Sequence, residues 1–170
     1  VVALKTGQAL AAYEAVRYVS ALRPHSVPVW NLFSRVLARM PDKKEPYKFV
    51  LRCLLKNPSS LPCMILVGNH CAMHGSTKLA LAEYIRAHAG MPDDPLLNLL
   101  IGVGYFAHSM SRRCQDRHTT VIRGFAFLFA YARLRRWSQE AWYNMGRALQ
   151  QLGISALAHH CYQQVLLIPP

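Results

Sequence analysis

Apolar side chains recur along this chain with the spacing of one helical face. Trp30, Phe33 and Leu37 form one such stripe, Met64, Val67 and Cys71 a second, and Trp142, Met145 and Leu149 a third. The i, i+3, i+4, i+7 rhythm predicts amphipathic helices packed on their neighbours through that stripe. Polar and turn-forming residues interrupt the stripes at regular intervals. Pro24, Pro58 and Pro92 are 34 residues apart, and Pro170 lies 78 beyond Pro92, which is two more such periods and ten extra residues. The reading is all-α.

A 34-residue period is that of the tetratricopeptide repeat (TPR), a pair of antiparallel helices A and B. The frame is numbered so that proline falls at position 32. Small residues then occupy position 8 (Ser34, Gly68, Gly102, Gly146) and position 20 (Ala12, Pro46, Ala80, Gly124, Ala158). They let the two helices of a repeat cross at close range. Position 24 carries Val16, Val50, Tyr84, Leu128 and Tyr162, which together with positions 4, 7 and 11 fill the space between helices. Proline at 32 stops helix B or shapes the link to the next helix A. The expected repeats are 27–60, 61–94, 95–138 and 139–170, preceded in 1–26 by helix B of a partial repeat. They are expected to stack as a right-handed TPR superhelix, each repeat burying its face on the next. A chain that opens at Val1 on half a repeat and stops at Pro170 on an uncapped one is expected to be a fragment of a longer array.

The third full repeat departs from the frame. Ten residues, Ser109 to His118, are inserted between its helices, and they read as a polar surface loop carrying Arg112, Arg113 and Arg117. Asn98 takes the place of an aromatic residue at position 4, and Arg136 that of the proline. In TPR arrays the inner face of helix A lines a concave groove. Here that face selects Asn31, Arg35, Arg39, Asn69, Met73, Leu99, Val103, Phe106, Tyr143 and Arg147. A surface apolar in its middle with Asn and Arg around it suits an extended or helical peptide.

Charge sharpens this picture. The net charge is +12, and it is concentrated in two blocks: Arg35 to Lys56 holds seven basic and two acidic residues, and Arg112 to Arg136 seven arginines and one acid. Such blocks favour acidic partners, either protein segments or nucleic acid. Hydrophobic residues make up 52% of the chain, which fits a packed core, and its greasiest stretch, Val121 to Tyr131, is broken by Arg123 and too short for a membrane span. Five scattered cysteines, never spaced CxxC, suit a reducing compartment. His70, Cys71 and His74 are the one metal-like group but lack the glutamate of a zinc hydrolase motif, and His159, His160 and Cys161 read no better. No phosphate loop and no GxSxG appear, and of only eight carboxylates five lie in loops or at helix ends with no obvious partner, so neither an enzyme, a cofactor, a metal nor a small-molecule substrate is expected.

Three runs carry a closer resemblance: GNHCAMHGSTKLALAEYIRAH, DDPLLNLLIGVGYFAHSMSRRCQDRHTTVIRGFAFLFAYARLRR and QEAWYNMGRALQQLGISALAHHCYQQVL. Their glycine-bearing helix A, basic loop, RH before helix B, GF-x-FL within it and QE-x-W-YN-x-GR opening the next repeat resemble the later TPRs of the gamma subunit of general transcription factor IIIC (TFIIIC). The resemblance covers about Trp30 to Pro170 and implies a nuclear scaffold of RNA polymerase III transcription. Its implied partners are the other TFIIIC subunits and TFIIIB, which it recruits to tRNA-type internal promoters, with promoter DNA as a further contact, directly or through the complex. A second reading is a co-chaperone-like receptor for acidic C-terminal peptides. That class holds a terminal carboxylate with basic and amide side chains, whereas this chain offers Pro28, Leu66, Leu96 and Leu100 at most of those places and only Asn31, Asn69 and Asn144 of suitable chemistry.

Overall fold

In the computed structural model, residues 7–169 are described, and among them the chain forms nine helices and no strand. They are α1 (Ala9–Leu22), α2 (Val27–Arg39), α3 (Lys44–Lys56), α4 (Leu61–Met73), α5 (Thr77–Gly90), α6 (Pro95–Ser109), α7 (Arg117–Leu134), α8 (Gln139–Gln151) and α9 (Ser155–Leu167). The expected proline stop at Pro170 lies outside the described residues, as do the first six positions of the partial repeat. None of these helices is long and apolar enough to cross a membrane. The chain divides between His70 and Cys71 into two compact units.

In the first unit the core is built around Phe33, buried on α2 with Trp30 and Val36. Tyr13 of α1 meets the Phe33 ring edge-on at 6.0 Å, and Phe49 of α3 stacks on it at 5.8 Å. Edge-to-face and offset-stacked rings are the favoured aromatic geometries, so one side chain fastens three helices. Ala12 and Pro46, the small residues of the frame, are buried on α1 and α3.

In the second unit, Phe106, Leu128, Met145, Leu149, Ala158 and Cys161 form the principal core of α6 to α9. Close crossings explain the glycines. A methyl group added at Gly102 would lie 2.9 Å from Leu128 and 3.2 Å from the Gly124 carbonyl oxygen, and one at Gly146 would lie 2.7 Å from the Tyr162 ring.

The links between repeats use two devices. After α1, Trp30 Nε1 donates to the Pro24 carbonyl at 2.7 Å; after α5, Asn98 Nδ2 donates to the Pro92 carbonyl at 2.8 Å and to that of Asp94 at 2.9 Å. Asn98 is 2% exposed. The departure from an aromatic residue at position 4 thus keeps the donor and replaces the ring. After α7 there is no proline, and Arg136 adopts a left-handed φ of 51°. Its N–H bonds the Arg133 carbonyl at 3.0 Å, and that of Trp137 bonds Ala132 at 2.8 Å, which is the doubly bonded Schellman end of a helix. The same pair of bonds closes α8 around Gly153, at φ 76°.

The ten extra residues differ from the expected loop. α6 has 15 residues and α7 has 18, against 13 in each of α8 and α9, so most of the insertion lengthens helices. Only residues 110–116 remain as loop, and Arg117 is the first residue of α7. The helix starts there because Asp116 caps it: its Oδ1 accepts the Thr119 N–H at 3.0 Å.

Candidate functional site

In the first unit, Asn31, Arg35 and Arg39 succeed one another at one-turn spacing along α2, all exposed on the side away from Trp30, Phe33 and Val36. Asn69 is half-buried on α4. In the second unit, Met73 is exposed, and Val103, Phe106 and Arg147 converge with Asn144 and Gln151 on a notch of about 70 Å³ between α6 and α8. Val103 and Tyr143 are about half exposed, and the Tyr143 ring lies 6.0 Å from that of Tyr162.

Two of the expected groove residues belong beneath the surface. Phe106 is only 2% exposed; its ring meets Phe125 edge-on at 4.9 Å and occupies the space that Gly124 leaves empty. It is a core residue, and a ligand on this face touches at most its edge. Leu99 is half-buried and packs against both core clusters of the unit. The exposed groove residues of the second unit are accordingly Met73, Val103, Tyr143 and Arg147.

The basic segment is the other candidate. Residues 110–116 form an ordered turn: the Ser111 N–H bonds the His108 carbonyl at 2.9 Å, that of Cys114 bonds Ser111 at 3.1 Å, and Thr120 Oγ1 donates to the Asp116 carbonyl at 2.6 Å. Arg112, Arg113 and Arg117 are exposed, and none takes part in an ion pair among the described residues. Arg117 and His118 open α7, where the helix dipole disfavours positive charge. Helix stability therefore does not explain them. The hydrogen bonds from Thr119 hold the Asp116 carboxyl below its ordinary pKa, so the acid stays ionised and engaged as a cap. Beside the basic residues lies a hollow of about 510 Å³, lined by Met110, Val121, Ile122 and Ile154 together with Arg117 and His118. Sequence reading found the arginines but missed this hollow, because its walls come from the lengthened start of α7 and from the distant α8–α9 turn.

Burial pushes the Cys63 thiol up to about 11 and also raises those of Cys53 and Cys161, which keeps them protonated and poorly nucleophilic near neutrality. His70 is occupied by stacking on Tyr47, with ring centres 3.6 Å apart. Among the described residues no group of three or more His, Cys, Asp or Glu side chains gathers as a metal would require. The amides of a carboxylate clamp fare no better. Asn144 Nδ2 already donates to the Tyr131 hydroxyl at 3.2 Å, and Leu66, at one of the basic positions, is buried.

Paired helices with small residues at each crossing and a proline-punctuated period define a TPR-type repeat chain. Solved structures of that type agree. IFIT1, as a monomeric mutant with Gppp-AAAA, matches 93% of this chain and 37% of its own at a TM-score of 0.73 and 18% identity. A MamA double mutant matches 96% and 86% at 0.70 and 15%. At such identities the likeness is one of fold. No family model matches the chain. Curated relatives do. The chain is 36% identical to "General transcription factor 3C polypeptide 3" of Homo sapiens over 94% of its own length, and 36% identical to "Transcription factor tau subunit sfc4" of Schizosaccharomyces pombe over 63%. "Transcription factor tau 131 kDa subunit" of Saccharomyces cerevisiae matches 51% of the chain at 34% identity. The resemblance to the TPR-bearing gamma subunit of TFIIIC therefore holds over nearly the whole chain. The chain spans 18%, 11% and 9% of the length of these relatives.

Proposed function

We propose that this chain is part of a non-catalytic, protein-binding scaffold subunit of TFIIIC, working in the nucleus in RNA polymerase III transcription and recruiting TFIIIB to tRNA-type internal promoters. The observation that carries the reading is the 36% identity to a human transcription factor 3C polypeptide over 94% of the chain. In this reading the repeats are 27–60, 61–94, 95–138 and 139–170, after a partial repeat in 1–26. Recruitment uses the exposed helix A faces and the basic segment. Arg112, Arg113 and Arg117 attract acidic segments over long range, while the adjoining hollow accepts an apolar side chain and holds the segment once it has arrived. Promoter DNA, approached directly or through the complex, is a further contact of the same arginines. The co-chaperone reading is disfavoured by the engaged Asn144 and the apolar residues at the clamp positions.

Charge reversal tests this reading. Arg112→Glu, Arg113→Glu and Arg117→Glu together, in the full-length protein, are expected to weaken TFIIIB binding at least about tenfold, with steep salt dependence in the wild type. Replacing Asn31, Asn69 and Asn144 by Ala is expected to have a smaller effect. The opposite ranking, seen with a chaperone tail peptide as ligand, would replace the TFIIIC reading with the co-chaperone one.

A further inference from the structure

A second concavity, in the first unit, takes no part in that reading. It is a cleft of about 890 Å³ between α1 and α3, within the size range of sites that enclose a ligand or an anchoring side chain. Its lining includes the half-buried Phe49 and Cys53 and the exposed Arg17, Arg52 and Lys56, with no carboxylate. We infer that this cleft docks an acidic, amphipathic protein segment, whose apolar side chains enter the floor while its carboxylates meet Arg52 and Lys56.

Charge complementarity identifies the occupant. Arg17 is already bridged to Glu14 at 2.7 Å, but neither Arg52 nor Lys56 is in an ion pair among the described residues. A simpler explanation, that cations complete the C-terminal end of α3, accounts for Lys56. It does not account for the apolar concavity beneath, nor for Leu55, which lines the cleft with 79% of its surface exposed. An exposed leucine beside two uncompensated cations is the composition that an amphipathic acidic segment complements.

Nucleic acid fits the same cleft less well. Single strands are held by stacking bases on free aromatic faces. The lining holds two rings, Phe49, which has one face stacked on Phe33 at 5.8 Å, and the small imidazole of His25. The cleft therefore supplies charge with little stacking area, and its apolar floor is better matched by Leu or Phe side chains.

A fluorescein-labelled amphipathic peptide, with Leu and Phe along one helical face and Glu along the other, serves as probe for the full-length protein in a fluorescence anisotropy titration. The wild type is expected to bind it, and Arg52→Glu with Lys56→Glu to weaken binding at least about tenfold. Leu55→Asp is expected to weaken it as well. The charge-conserving pair Arg52→Lys and Lys56→Arg keeps most of the affinity. All three side chains are exposed, so the fold is kept and thermal unfolding shifts only slightly, through Lys56→Glu at the C-terminal end of α3; the charge pair alone carries the test should Leu55→Asp fail to fold. Reversal of Arg112, Arg113 and Arg117 is expected to leave this binding intact, which separates it from TFIIIB recruitment. Absence of peptide binding, indifference to the Arg52 and Lys56 reversal, or displacement of the peptide by a tighter-binding single-stranded DNA would each overturn the inference.

Discussion

The helix pairs α6–α7 and α8–α9 follow one pattern and reach it by different means. Both cross through a glycine at position 8 of helix A, Gly102 in one and Gly146 in the other. In α8–α9 the opposing small residue is Ala158, and the neighbour nearest the glycine is the Tyr162 ring; in α6–α7 the opposing residue is Gly124, whose backbone oxygen lies behind the Leu128 side chain. In the longer pair a backbone atom thus stands among the glycine's nearest neighbours, whereas in the shorter pair those neighbours all belong to one ring. Its extra residues were accommodated beyond the crossing, at the far ends of the two helices. An insertion is tolerated when it leaves the register of the close approach untouched, whatever it does to helix length.

Alanine at the two glycines should separate the pairs most strongly. Gly102→Ala forces its methyl against backbone as well as side chain, so overpacking of about 1–3 kcal/mol exceeds the roughly 1 kcal/mol that alanine gains in helix propensity. Gly146→Ala meets the Tyr162 ring first, a side chain that is tied to Gln150 by a 2.7 Å hydrogen bond yet gives more readily than backbone, so its net loss should be smaller. Equal falls in denaturation midpoint for both variants would mean that the Tyr162 ring yields no more readily than the backbone behind Leu128.

The ends of the pairs give the next contrast. Arg136 occupies a left-handed position that Gly153 fills without strain in the shorter pair. Arg136→Gly is expected to stabilise the protein by about 1 kcal/mol, the usual relief of a side chain in that conformation. Urea titration should show the gain, and a loss would imply that the Arg136 side chain makes a contact outweighing the strain.

Helix starts differ by a comparable amount. Asp94 Oδ1 accepts the Leu97 N–H at 2.8 Å at the head of α6, whereas the Ser138 hydroxyl before α8 is buried without a hydrogen-bond partner. Asp94→Ala should cost about 1 kcal/mol, while Ser138→Ala should be neutral or stabilising, because it removes an unsatisfied group. Thermal melts of the two variants make the comparison directly.

The smallest effect is one of pH. Burial raises the Tyr131 phenol on α7 above its ordinary 10.0. The folded state thus holds its proton where the unfolded chain releases it. The associated stability is complete below pH 10.0 and is lost as pH climbs through the raised value. Tyr131→Phe should flatten the alkaline limb of the stability profile, and an unchanged limb would assign the loss to other groups.

Most of the fold was legible because each helix pair repeats the same packing problem. Gly102, Gly124, Leu128 and Met145 are buried where the period places them. The groove was less legible. Phe106 lies one turn beyond Gly102, at the border between core and surface, and its fate was decided by the absence of a side chain at Gly124 on the other helix. The insertion misled for a related reason. SMSRRCQDRH has loop composition, but Asp116 can cap a helix, and the polar residues after it became the exposed first turn of α7. Spacing along one helix predicts the face a residue occupies; how deeply that face is covered depends on the partner opposite.

The bonds from Trp30 and Asn98 to proline carbonyls six residues earlier have an evolutionary consequence. If selection at this place acts on an N–H aimed backwards across the link, then tryptophan and asparagine are synonyms there, although substitution tables rank them among the most dissimilar pairs. A lineage can drift from one to the other through any residue that keeps a donor in reach, refilling the lost ring volume from neighbouring helices. Repeat searches weighted towards an aromatic at position 4 would pass over such descendants. A search that also scores the donor would recover them, although Met64 after Pro58 shows that a repeat of this chain can do without it.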